Sequence, residues 1–167
     1  MIFEVWPDGR MDIGGRVAPC ALGRSGVLPA ARKREGDGFT PAGLWPIRRV
    51  FYRPDKGAPS TALPAEAIGP NDGWCDAADD PAYNRPVALP YPASAERMWR
   101  DDELYDLVVV LGHNDHPVVA GMGSAIFLHL RRPDGGPTEG CVALTRSDML
   151  DFLATAGPDD LVRIHAV

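Results

Sequence analysis

Proline and glycine interrupt the chain so often that long regular elements have little room to form. The sequence contains 17 prolines and 18 glycines in 167 residues, well above the usual share of these two types. Proline removes a backbone donor, and glycine raises the entropic cost of ordering a helix or strand. The composition therefore predicts many short elements joined by turns, and it favours a mainly β fold over a helix bundle.

Length and charge narrow the class of protein further. Residues 1–167 are enough for one domain with its own core and too few for two ordinary domains. The net charge of −6 gives a nucleic-acid partner no electrostatic support, and the basic cluster at residues 31–35 is interpreted as a solvated loop. No apolar run approaches the roughly 18 residues that span a bilayer, and the N-terminal stretch lacks the pattern of a signal peptide.

Apolar patterns predict the regular elements. The sequence "LYDLVVVLGH" contains five consecutive β-favouring apolar residues, which indicates a strand buried on both faces. Pro46 lies within the predicted strand 44–52, which indicates either an edge strand or a bulge at this position. A capping-box pattern begins a helix at Thr145, and Gly157 ends it. The other predicted strands cover residues 2–6, 44–52, 123–130 and 161–167.

Residues 55–100 are rich in Pro, Ala, Asp and Asn and show no clear periodicity. The aromatic residues in this segment need somewhere to pack, which predicts order rather than disorder. We interpret the segment as a long irregular excursion with one helical turn near residues 94–99. A structureless stretch of this length is uncommon in a compact domain unless it is functional, and a wall of a substrate cleft is a natural role.

Cys141 follows Gly140 after a loop rich in proline and glycine, and His129 stands near the end of the predicted strand 123–130. One interpretation is a buried structural thiol beside a core histidine, and residue types alone favour it. The other is a nucleophile with its base. Gly140 permits a sharp turn, backbone N–H groups can stabilise an oxyanion, and a strand would hold His129 rigidly.

The other cysteines and histidines carry weaker signals. Cys20 and Cys75 have no partner nearby in sequence and are interpreted as structural. His113 and His116 could join Cys141 around a zinc ion, but no second closely spaced pair of ligands is present, so we expect no metal site. A polar turn is the simpler interpretation of the two histidines.

The stretches "GSAIFLHL" and "PTEGCVAL" resemble the catalytic motif of the YkuD-type L,D-transpeptidases, which cross-link peptidoglycan. In that motif a histidine and a loop precede Ser or Thr, then His-Gly-Cys and an apolar residue. Upstream, "REGDGFTPAGLWPI" resembles the family's Thr-Pro-x-Gly segment with its hydrophobic strand. "CALGRSGV" is similar to the glycine-containing hairpin before it. The resemblance covers both ends of the chain and leaves out its middle.

The resemblance implies a mainly β, compact barrel- or sandwich-like domain with one or two short helices. It makes Cys141 the nucleophile, His129 the base, and Thr138 and Gly140 part of the oxyanion-stabilising loop. The implied reaction passes through a cysteine thioester and joins a donor to an acceptor stem peptide, at a standard or non-standard position. No cofactor, a monomeric state and a periplasmic location are expected, and a cytoplasmic location stays open.

Two residues depart from the family's pattern. Glu139 stands in place of a second histidine, and Ala143 stands in place of an arginine two residues after the cysteine. Another arginine could substitute in holding the carboxylates of the stem peptides, because a guanidinium binds a carboxylate bidentately. The predicted substrate contacts are Tyr83, Arg85, Arg97, Trp99, Arg100 and Glu139; further candidates are Trp74, Asn84, Tyr91, Arg131, Arg132 and Arg146.

Two other functions remain open on the sequence. Water could resolve the thioester, which would make the protein a carboxypeptidase or amidase of the same family. A degenerate site would instead leave a non-catalytic domain that binds the cell wall. If the protein is an enzyme, the Cys141 sulfur and one nitrogen of His129 should lie within about hydrogen-bond reach. The other ring nitrogen should meet a carboxylate or a backbone carbonyl.

Overall fold

The structure is a computed structural model that describes all 167 residues, and it is mainly β, as the composition predicts. Its single α-helix is α1 (Arg146–Thr155). The strands, in chain order, are β1 (Ile2–Trp6), β2 (Arg10–Asp12), β3 (Val17–Pro19), β4 (Gly26–Pro29), β5 (Phe39–Tyr52), β6 (Ala65–Ala67), β7 (Asp72–Cys75), β8 (Pro86–Ala88), β9 (Ala95–Arg97), β10 (Leu107–Leu111), β11 (Phe127–Leu130), β12 (Val142–Leu144) and β13 (Leu161–Ile164).

The long strand β5 organises the main sheet. Its first half pairs with β13 and its second half with β10, both antiparallel. The sheet has the order β12-β11-β10-β5-β13-β1-β2-β3 and curls into a near-closed barrel. Pro46 therefore lies in a central strand, so its placement at an edge is wrong. The alternative prediction, a bulge, is consistent with the structure, because the pairing of β5 with β10 shifts its register between Val110 and Leu111.

Strand β10 confirms the prediction of burial on both faces, since each of its residues is buried. Leu107, Val109 and Leu111 face the main core, which includes α1. Val108 and Val110 face a second, smaller apolar cluster that also contains Cys141. Side chains alternate along a strand, so one apolar run separates the two clusters.

The ends of the chain meet in the sheet. β1 covers the predicted residues and runs parallel to β13, with Phe3 opposite Val162. β13 ends at Ile164, three residues before the prediction. β11 begins at Phe127 rather than at residue 123, because Ala125 has a φ of +54° and departs from strand geometry.

Helix α1 confirms its predicted capping. The Thr145 side chain accepts a hydrogen bond from the Asp148 N–H at 3.2 Å and donates one to the Asp148 carboxylate at 2.7 Å. Met149, Phe152 and Leu153 are completely buried in the main core. α1 contacts β11 and β12, so it packs against the side of these two strands that faces the main core. None of the protein's helices has the length and apolar character needed to cross a bilayer.

The excursion over residues 55–100 is more regular than predicted. It contributes β6 to the main sheet and forms a separate antiparallel sheet in the order β8-β7-β9. The helical turn predicted near residues 94–99 is wrong, because β9 occupies that position and pairs with β7. Strands of three or four residues are too short to show a two-residue period, so the sequence pattern could not reveal them. The aromatic residues do pack, and Trp74 meets Phe127 edge-on at 5.0 Å between ring centroids.

We expect Thr145→Ala to lower the free energy of unfolding by about 1 kcal/mol, because it removes the N-cap of α1. Urea denaturation followed by circular dichroism measures this loss. Ser147→Ala is the matched control, since Ser147 is exposed in the first turn and makes no side-chain hydrogen bond. Equal stability of the two variants would show that the cap contributes nothing.

Candidate active site

Cys141 and His129 project from the same face of two neighbouring strands. β11 and β12 run parallel, with His129 opposite Ala143. Leu128 and Leu130 face the main core, whereas Phe127 and Cys141 belong to the second cluster. His129 shares the face of Phe127 because side chains alternate. Cys141 precedes Ala143 by two residues, which makes it a diagonal neighbour of His129.

Both side chains line one cavity of about 790 Å³. Its apolar part includes Leu104, Tyr105 and Ile126. The cavity is also lined by charged and hydroxyl groups, contributed by Lys33, Glu35, Asp76, Glu96, Arg100, Asp102, Ser124, Arg132, Thr138 and Glu139. A thiol and an imidazole at a polar cavity match the arrangement of a nucleophile and its base. We call this space the Cys141 cavity.

Thr138 and Gly140 shape the turn that presents the cysteine. The Thr138 hydroxyl accepts from the Gly140 N–H at 3.1 Å and donates to the Cys141 carbonyl at 2.7 Å. Gly140 has a φ of +143°, and a Cβ at this position would lie 2.9 Å from the Phe39 carbonyl oxygen. A side chain at residue 140 would therefore be strained, and glycine is required for this turn.

Residues 21–24 hold the turn from outside. Ala21 and Ala143 exchange two backbone hydrogen bonds of 2.9 Å, and the Thr138 N–H donates to the Leu22 carbonyl. The Gly23 N–H donates to the buried hydroxyl of Thr40 at 2.8 Å. The glycine-containing hairpin and the Thr-Pro-x-Gly segment thus act together as a support for the cysteine turn.

The turn leaves two backbone donors without acceptors. The Thr138 N–H is bound to Leu22, and the Gly140 N–H is bound to the Thr138 hydroxyl. Neither the Glu139 N–H nor the Cys141 N–H has a hydrogen-bond partner within the protein. Free N–H groups at and beside a nucleophile are suited to stabilise an oxyanion.

The Cys141 thiol is held by backbone groups. Its Sγ donates to the Ala125 carbonyl at 3.1 Å and accepts from the Phe127 N–H at 3.4 Å. The expected hydrogen bond between the thiol and His129 is not formed. Burial raises the pKa of the Cys141 thiol to about 12, so the group is neutral at pH 7.

His129 is fixed in the tautomer that a base requires. Its Nδ1 lies 2.8 Å from the Leu130 carbonyl oxygen, as expected for the second ring nitrogen. A carbonyl can only accept, so Nδ1 carries the proton and Nε2 is left as an acceptor. Burial lowers the pKa of His129, and the charge of Arg100 acts in the same direction. The imidazole is therefore neutral at pH 7.

Lys33 corrects the interpretation of residues 31–35 as a solvated loop. Its side chain is only 3% exposed and lines the Cys141 cavity. The ammonium group forms an ion pair with Asp37 and donates to the Arg34 carbonyl at 3.2 Å. An oppositely charged residue four positions along the chain was the sequence signal for this pair. The burial of Lys33 could not be predicted from composition, because residues 31–35 are basic as a group whether or not one lysine is buried.

Of the six predicted substrate contacts, Arg100 and Glu139 line the Cys141 cavity. Arg100 binds Asp102 through Nε and Nη2 and leaves Nη1 without a partner. The exposed Glu139 pairs with Arg24 at 2.9 Å. Sequence reasoning missed Glu96, whose pKa is raised by burial and whose carboxylate accepts from Tyr105.

The structure places the other four predicted contacts outside the Cys141 cavity. Tyr83 is buried, and its hydroxyl donates to Glu35 at 2.6 Å. Trp99 lies under the Arg53 guanidinium at 3.8 Å. Arg97 donates to a carbonyl of the excursion at 3.1 Å, and Arg85 lines a different cavity. Tyr83, Arg97 and Trp99 line neither cavity, so this geometry gives no support for contacts between these three residues and a substrate bound at Cys141.

Asn84 links the excursion to the thiol. Its Oδ1 accepts from the Ala125 N–H at 3.0 Å and from the Trp74 indole at 3.0 Å. Its Nδ2 donates to the carbonyls of His113 and Asn114. Asn84 therefore holds Ala125 in its left-handed conformation, and the Ala125 carbonyl in turn holds Cys141. The excursion thus reaches the thiol through this contact, and it also lines the Cys141 cavity with Asp76, Glu96 and Arg100.

His113 and His116 take no part in the Cys141 cavity. His113 is buried edge-on against Trp45, and burial lowers its pKa to about 4. No three His, Cys, Asp or Glu side chains converge in a way that could hold a metal ion.

Comparison with protein families identifies the chain at this point. The model of the YkuD family, described as the L,D-transpeptidase catalytic domain, matches residues 2–164. The chain belongs to the YkuD family. Because nearly the whole chain is matched, the excursion lies within the span of the YkuD domain. No curated protein gave a significant match to the chain.

Two solved structures are similar to the YkuD domain described above. One is the crystal structure of the helical cell shape determining protein Pgp2 from Campylobacter jejuni, with 15% identity, 99% of this chain covered and a TM-score of 0.49. A mutant of the same protein gives 17% identity, 99% coverage and a TM-score of 0.42. The chain spans 47% and 46% of the length of these two proteins.

We expect the rate of Cys141 alkylation by iodoacetamide to rise about tenfold per pH unit from pH 7 to 10 without a plateau. The reason is that only the thiolate reacts, and burial keeps the thiol protonated over this range. Peptide mapping by mass spectrometry measures the modified fraction at Cys141, with N-acetylcysteine as the parallel control. A plateau below pH 8 would instead indicate a resting thiolate–imidazolium pair.

Proposed function

We propose that this YkuD domain is a peptidoglycan L,D-transpeptidase that uses Cys141 as nucleophile and His129 as base. The observation that carries the proposal is the occurrence of a thiol and a neutral imidazole with a free Nε2 on one face of two paired strands, at a polar cavity. The family match over residues 2–164 supports the same reaction class. The stem peptides are then the substrates, in the periplasm, and no cofactor is needed.

In the first half of the reaction, a stem-peptide carbonyl enters the Cys141 cavity. The thiol leaves the Ala125 carbonyl and transfers its proton to Nε2 of His129, while Sγ forms a bond to the carbonyl carbon. The C–N bond then breaks, and the leaving amine takes the proton from His129. A thioester on Cys141 remains, and the imidazole is neutral again.

In the second half, the amine of another stem peptide attacks the thioester and gives a proton to Nε2. The C–S bond breaks, a new amide cross-link forms, and the sulfur recovers its proton from His129. In both halves the carbonyl oxygen becomes negative. The free N–H groups of Cys141 and Glu139 are the donors proposed to stabilise it.

Arg100 is proposed to replace the family's arginine in holding a substrate carboxylate. Ala143, which stands at that position, is small and buried opposite His129. The Arg100 guanidinium lines the same cavity, and its Nη1 has no partner. A charge-assisted hydrogen bond from this nitrogen to a carboxylate would orient the peptide beside the thiol.

We expect the purified protein to convert muropeptides into cross-linked dimers. Cys141→Ala should abolish the product, and His129→Ala should slow its formation by about 10²–10⁴-fold, because proton transfer is lost. Liquid chromatography with mass spectrometry identifies dimers and shortened monomers. Cys20→Ala is the matched control, since Cys20 is a buried thiol that lines no part of this cavity.

Each contrary outcome identifies a different function. Shortened monomers without dimers would mean that water resolves the thioester, as in a hydrolase. Unchanged muropeptides would contradict catalysis altogether and favour a domain that only binds the cell wall. Retained activity in Cys141→Ala would contradict the assignment of the nucleophile.

A further inference from the structure

A second cavity of about 440 Å³ lies beside the Cys141 cavity. Ile126 lines both cavities, and it directly follows Ala125, the residue that holds the thiol. The second cavity is bounded by β5, β10 and the excursion. We call it the arginine cavity, because its lining includes Arg48, Arg49 and Arg85.

The charges of the arginine cavity are unbalanced. Three guanidinium groups line it against the single carboxylate of Asp115. Arg48 binds that carboxylate bidentately, at 2.8 and 3.1 Å. Arg49 forms an ion pair with Glu66 on β6, with 2.8 Å between Nη1 and Oε1. A positive cavity is notable in a protein with a net charge of −6.

Arg85 is the arginine whose charge is not neutralised. It is exposed and forms no ion pair with any carboxylate. Its guanidinium donates only to backbone carbonyls, to Asp115 at 2.8 Å and to Asn84 at 3.3 Å. These bonds fix the side chain at the mouth of the cavity while leaving N–H donors free. Such a preorganised guanidinium is suited to bind an anion, and a carboxylate fits its fork.

The remaining wall of the arginine cavity is apolar. Trp74, Val110, Leu111 and Phe127 line it, and Trp74 and Phe127 are fixed by their edge-on contact. A ligand for this cavity therefore combines an anionic group with an aliphatic stem. A peptide that ends in a carboxylate has both features.

We propose that the arginine cavity binds the C-terminal carboxylate of a stem peptide, with Arg85 as the principal contact. The identity of the ligand rests on the function proposed above, and the two cavities are neighbours because Ile126 lines both of them. The excursion then contributes to recognition of the substrate through Arg85, in addition to positioning Ala125 through Asn84.

Binding without turnover tests the subsite. The Cys141→Ala protein is titrated calorimetrically with a synthetic stem peptide that has a free C-terminal carboxylate, and with the same peptide amidated at that end. We expect amidation and Arg85→Gln each to weaken binding by about tenfold or more, and Arg85→Lys to weaken it less. Arg32→Gln removes an exposed arginine that lines neither cavity and should leave the affinity unchanged.

Three results would overturn the subsite. These are equal binding by Arg85→Gln and Arg32→Gln, equal binding of the free and amidated peptides, and no binding of either peptide. Displacement of the peptide by an equal concentration of inorganic phosphate would overturn the assignment to a carboxylate. Because these titrations need no catalysis, Arg85-dependent binding together with unchanged muropeptides would contradict only the proposed function.

Discussion

The parallel pairing of β11 with β12 is the contact on which the rest of the site depends. Its register sets Leu128 opposite Val142 and Leu130 opposite Leu144, and all four of these side chains are buried in the main core. A shift by one residue would turn these apolar residues toward the cavity and would turn His129 into the core. Burial of the main core thus fixes the face on which His129 and Cys141 lie.

The site keeps the Cys141 thiol neutral. The Ala125 carbonyl accepts from the thiol, and the surrounding protein removes water from the sulfur. A buried thiolate would be costly without a formed cation beside it. In the proposed mechanism, His129 becomes that cation by taking the thiol proton when the substrate arrives. The thiol must then leave the Ala125 carbonyl, which is held in place by the hydrogen bond between the Ala125 N–H and Asn84.

Local signals predicted the elements that depend on local sequence. The apolar run in β10, the cap at Thr145 and the glycine before Cys141 all act over a few residues, and the structure has each of them. The partners of these residues were beyond prediction from one sequence. Asn84 reaches Ala125 across 41 residues, and Ala21 reaches Ala143 across 122, through contacts that only the folded chain creates. The short strands of the excursion lacked a readable period for a similar reason, because pairing with other strands rather than local pattern stabilises them.

The identity of the nucleophile is tested most directly by trapping it with a carbapenem-type β-lactam. The strained ring presents an amide-like carbonyl, and opening the ring leaves an acyl group on the attacking sulfur. Intact-mass measurement should show one addition, and peptide mapping should place it on Cys141 while Cys20 and Cys75 stay unmodified. The addition should be absent from Cys141→Ala. An addition on Cys20 or Cys75 with Cys141 unmodified would contradict the account.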